Sequence, residues 1–107
     1  ADLPRNVALQ WSLWCKHPDY LFGDPSLDFS GYASYDAPIL AFSFKDDTYV
    51  SADYHQSVIG RFEKADITWR NLAPADAGLK SIGHFGFFKE PLRDNLWGEA
   101  ATWLEGV

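Results

Sequence analysis

Two polar groupings in this 107-residue chain are of types that could do acid–base chemistry. One is Lys45-Asp46-Asp47-Thr48-Tyr49-Val50, directly behind an apolar run; the other is Gly83-His84-Phe85-Gly86-Phe87-Phe88. Imidazole titrates near neutrality, so His84 could serve as a general base. A carboxylate set against the ring would fix its tautomer and stabilise the protonated form. Gly83 and Gly86 let the backbone turn sharply on either side of His84, and the aromatics that follow would anchor the loop and exclude water. Each group also has a plainer use. A loop histidine can be structural or solvated, and Asp47 can form a turn or cap a helix beside Asp46 and Ser51.

The elements that must position these groups are legible from periodicity. Residues 37–44, Ala-Pro-Ile-Leu-Ala-Phe-Ser-Phe, are almost unbroken in apolarity, with the proline at the start where a strand tolerates it. Such a run predicts a central parallel strand buried on both faces. Ser51 and Asp53 suit a helix start, and Tyr54, Val58, Ile59 and Phe62 fall on one helical face, which predicts a helix over 51–63. Residues 66–72 open with strict alternation and read as a second, more peripheral strand. Strand, helix and strand at this spacing form one crossover unit with parallel strands. A last helix over 92–105 should bury Leu96, Trp97, Ala100, Ala101 and Leu104 and end at Gly106. The class is α/β, and ligands of parallel α/β sheets gather beyond the carboxyl ends of the strands, where both groupings fall.

Upstream, Asn6 could cap a helix that stops near His17, because Pro18 disfavours helical geometry in the residue before it. Its apolar residues, Val7, Leu9, Trp11, Leu13, Trp14 and Cys15, point nearly all round the axis, so the helix should be covered on several sides, as a docking or lid helix would be. That setting also predicts an inert, buried Cys15 thiol. Residues 18–36, rich in Pro, Gly and Asp, suit an irregular connection with no packed core of its own. The expected division is therefore a lid-like helix and connection over 1–36 and a core segment over 37–107.

Composition narrows the partners. Nine Lys+Arg against 15 Asp+Glu give a net charge of −6, which argues against a nucleic-acid surface. The longest apolar run, Ala37 to Phe42, falls far short of the roughly twenty residues a membrane span needs, and no secretory leader pattern opens the sequence, so the expected setting is soluble and cytoplasmic. With one cysteine no internal disulfide forms, and His17 and His55 make no ligand pair, so no metal and no cofactor are expected. Five Trp, five Tyr and eight Phe are a heavy apolar load for one small domain. Two strands do not make a stable parallel sheet. The sheet is expected to be completed by a segment outside this sequence or by an identical chain.

The Asp-Asp-x-x-Val segment after a Pro-Ile-Leu strand, followed by Gly-His-Phe-Gly-Phe-Phe before a final helix, resembles the C-terminal part of the α/β-hydrolase superfamily. Trp11-Ser12-Leu13-Trp14-Cys15 is similar to the lid-side segment of a predicted serine hydrolase branch. The resemblance implies that Asp47 is the acid and His84 the histidine of a Ser-Asp-His triad, in the family's chain order. Trp11, Trp14 and Phe85 would be substrate-binding residues, although a Trp11 and Trp14 pair at helical spacing is more often core, and the substrate would be a small ester, thioester or amide. The pattern departs from the family at the nucleophile. None of the eight serines lies in a Gly-x-Ser-x-Gly elbow: Ser81 has Gly83 behind it but Leu79 in place of the first glycine. The expectation is a C-terminal hydrolase fragment, inactive alone and completed by an N-terminal half or a homo-oligomer. The alternative is a non-catalytic oligomerisation or binding module in which Asp47 and His84 are structural.

Overall fold

Ile39 to Phe44 and Ile67 to Leu72 form strands β1 and β2, which pair in parallel with Ile39 opposite Ile67 and Phe44 opposite Leu72. Pro38 stands just before β1, where its missing N–H breaks no ladder bond. The computed structural model describes residues 3–107; Ala1 and Asp2, the first two residues of the lid-like segment, lie outside the described residues. Around the strands run helices α1 (Arg5–Lys16), α2 (Ser30–Ser34), α3 (Ala52–Ile59) and α4 (Gly98–Glu105), with short 3-10 turns and one π-helical turn, Arg93–Trp97, leading into α4. Helices on a two-stranded parallel sheet make the chain α/β.

Burial on β1 differs from the expectation of a strand covered on both faces. Ile39 to Phe42 are only half-buried, and burial is reached at Ser43 and Phe44. Among the described residues β2 is the one strand that pairs with it, so the other edge of β1 has no backbone partner.

The helices depart from expectation in instructive ways. α1 begins at Arg5 after Pro4 rather than from an Asn6 cap, and stops before Pro18 as predicted. None of its residues is buried, and Val7, Leu9, Trp11 and Leu13 are about half exposed. Cys15 is exposed rather than buried, because α1 packs chiefly on the turn Tyr20–Gly23. The connection over 18–36 is more ordered than its composition suggests. Phe22, Phe29 and Tyr32 pack ring against ring, Tyr32 also packs on Phe62 with centroids 5.0 Å apart, and the Arg61 guanidinium lies 4.3 Å from the centroid of the Phe22 ring. Aromatic side chains supply there the packing that the prolines and glycines conceal.

The last helix is broken at its start. The wider π turn lets Asn95 donate to the Ala77 carbonyl at 2.9 Å and Trp97 to the Phe87 carbonyl, which ties the segment to the loops around it. Leu96 is buried and Trp97 and Ala100 are half-buried, whereas Ala101 and Leu104 face outward. The core consists of Phe44, Leu72, Ile82, Leu92 and Leu96, with Phe42, Leu79, Phe87 and Trp97 packed against it. It therefore sits at the carboxyl ends of both strands, directly under the loops that carry the polar groups.

Candidate active site

The first turn after β1 places two carboxylates side by side. The Asp47 N–H donates to the Phe44 carbonyl at 3.0 Å, which reverses the chain as it leaves the sheet. Asp47 Oδ1 then accepts the N–H groups of Tyr49 at 2.8 Å and Val50 at 3.1 Å, a local aspartate turn that fixes the carboxylate. Its other oxygen, Oδ2, lies 2.9 Å from His84 Nδ1. Burial pushes the Asp47 carboxyl up. The hydrogen bond from His84, those from Val50 and Tyr49, and the charge on His84 together outweigh this and hold it below the ordinary aspartate value.

An ionised carboxylate only accepts hydrogen bonds, so His84 Nδ1 must carry the proton. That assigns the tautomer and leaves Nε2 as the basic nitrogen, without a hydrogen-bond partner among the described residues.

Asp46 has a different task. Its carboxylate accepts the N–H groups of Ile82 at 2.8 Å and Gly83 at 3.0 Å. These two bonds hold its carboxyl below the usual range against burial and the neighbouring charge of Asp47. Adjacent aspartates thus grip adjacent parts of one loop, Asp46 by the backbone and Asp47 by the imidazole. Two glycines make the approach feasible. Gly83 takes φ +68°, a left-handed conformation that costs an L side chain about 1–2 kcal/mol. A Cβ on Gly86 would stand 2.9 Å from Ile82 Cγ2, so no other residue fits against this core side chain without a shift. Ile82 joins both systems, with its side chain in the core and its N–H on Asp46.

The His84 ring is flanked by Tyr49, at 5.1 Å between centroids, and by Phe85, at 4.8 Å and edge-on. Its side chain is 35% exposed, whereas that of Asp47 is 5% exposed: the acid is shielded and the base is open. Both line a cleft of about 260 Å³ with Phe42, Ser43, Phe44, His55, Phe87 and Phe88. Ser43 is buried there with its hydroxyl engaged, donating to Asn71 Oδ1 at 2.9 Å and accepting from Trp69 Nε1 at 2.8 Å.

Asp47 and His84, far apart in the sequence, are brought together; Trp11, Trp14 and Phe85 are not brought to the cleft lining. Trp11 is exposed on α1. Trp14 lies in a separate depression, where its Nε1 donates to Asp24 Oδ2 at 2.9 Å. Phe85 supports the outer side of His84. The apolar walls come instead from Phe42 and Phe44, on alternate positions of one strand face, and from Phe87 and Phe88. His55, one turn into α3, is the residue that periodicity alone did not bring to the site. Among the described residues no cluster of three or more potential metal ligands is present. No protein-family model, curated protein or solved structure matches this chain.

Proposed function

We propose that this chain supplies the acid and base of a serine hydrolase built on the C-terminal part of an α/β-hydrolase fold, with the nucleophile and oxyanion donors supplied from outside it. The observation that carries this is the contact between His84 Nδ1 and Asp47 Oδ2, at the carboxyl end of β1 and on the wall of a cleft. In that role Nε2 takes the proton of a serine hydroxyl as its oxygen bonds to the acyl carbon. The same proton then passes to the leaving oxygen, sulfur or nitrogen as that bond breaks. Water repeats the sequence to release the acid. Asp47 stays ionised throughout and stabilises the imidazolium. Ser43, with both its proton and a lone pair engaged, is unsuited to be the nucleophile. No cofactor enters this chemistry, and the substrates are small esters, thioesters or amides.

A second reading, an association module, is favoured by the half-exposed apolar residues of α1 and by the edge of β1 that no strand among the described residues pairs with. Two measurements on the chain separate the two. Native mass combined with a fluorophosphonate probe should give an assembly that stays unlabelled; stoichiometric labelling of a monomer overturns the claim that the nucleophile lies elsewhere. Diethylpyrocarbonate, which acylates basic imidazole nitrogens, should modify His84 faster than the exposed His17, and Asp47→Asn should remove the excess. Equal rates at both histidines favour the association module.

A further inference from the structure

His55 presents a buried Nε2 with no hydrogen-bond partner among the described residues, and it lines the same cleft as Asp47 and His84. A buried polar nitrogen left unpaired costs roughly 1–3 kcal/mol, and an apolar side chain in its place would escape that cost. The other polar groups of the cleft are already used. Both oxygens of Asp47 accept hydrogen bonds, and the Ser43 hydroxyl is held by Asn71 and Trp69. Among the described residues two imidazole nitrogens of the lining side chains remain unpaired, Nε2 of the part-exposed His84 and the buried Nε2 of His55, beside the phenyl walls of Phe42, Phe44, Phe87 and Phe88.

We infer that His55 is a specificity residue of this cleft: when a ligand enters and the ring turns toward it, the now-unpaired Nε2 hydrogen-bonds a polar substituent a few bonds from the carbonyl of a small ester or amide, while His84 faces the carbonyl. The inference rests on the acid and base function proposed above. It narrows the substrate from any small ester, thioester or amide to one that also carries a hydroxyl, ketone or second amide, because a buried group that needs a partner discriminates against a ligand lacking one. His55 is not a second general base here: no carboxylate orients its ring among the described residues, whereas Asp47 orients His84.

The test is a titration of the full chain with two matched amides, butyramide and 3-hydroxybutyramide, read by the imidazole nitrogen resonances of His17, His55 and His84. The hydroxyamide should bind about tenfold more tightly, the value of one good hydrogen bond, and should move the His55 and His84 signals while His17 stays still. His55→Phe should erase the preference and His55→Gln, which can still hydrogen-bond, should keep part of it. Equal binding of the two amides, or a preference that survives in both variants, overturns the role of His55 and leaves the acid and base function standing when His84 still responds. If neither amide moves the His84 signal, both fall together.

Discussion

Single side chains divide the labour around His84, and charge decides how. Asp47→Asn keeps the shape of the acid but replaces a pure acceptor with an amide that can also donate. The wild type is expected to hold His84 in the Nδ1–H tautomer, and the variant to show a mixture, read from the ring nitrogen shifts. In an assembled hydrolase the same change should lower kcat by about 10³- to 10⁴-fold with little change in folding, measured with a chromogenic ester. Asp46→Ala acts on stability instead. It strands the N–H groups of Ile82 and Gly83 and should cost about 1–3 kcal/mol in urea unfolding. Neither outcome follows from the sequence Asp46-Asp47 by itself, where two neighbouring carboxylates compete for one role; only the direction each leaves the turn separates them.

At the scale of elements, the site hangs on a small core beneath the strand ends. Leu92 is fully buried beside Phe44, Leu72, Ile82 and Leu96, so Leu92→Ala should remove about 2–5 kcal/mol, measured by urea unfolding, and loosen the His84 loop through Ile82. Acid should act on the same loop. The carboxyls of Asp46 and Asp47 titrate below their ordinary value of 3.8 when folded, so the folded state binds fewer protons than the unfolded chain. Their stabilisation is complete above that ordinary value and is lost as pH falls through the lowered folded values. Thermal unfolding followed from pH 6 to pH 2 should show this loss, and Asp46→Asn should flatten it. The strand pair was legible because an apolar run and a strictly alternating one are hard to mistake. The π turn was not, since Asn95 and Trp97 reach carbonyls that only the folded chain brings near.

The whole molecule exposes more surface than its mass requires. A compact chain of 12.1 kDa leaves about 6,000 Å² accessible, whereas this one leaves 7857 Å². Its radius of gyration is 16.0 Å, against roughly 13 Å for a compact domain of this length. The difference in area is at least that which one partner covers in a stable complex, about 800 Å² per side. Native mass spectrometry or sedimentation at micromolar concentration should therefore find species heavier than 12.1 kDa. Leu9→Glu and Leu13→Glu together on α1 should shift them toward monomer, since both side chains are more than half exposed. A strict monomer would show that this surface is tolerated in water.

The sequence by itself determined the strands, the end of the first helix at Pro18, the crossover helix and the two polar groupings, because periodicity, proline geometry and glycine placement act within a few residues. Tertiary structure decided which aspartate meets the imidazole, which aromatics wall the cleft, that His55 joins them and that α1 finds little cover. Those outcomes depend on side-chain directions and on contacts between residues distant along the chain, and local pattern carries no information about either.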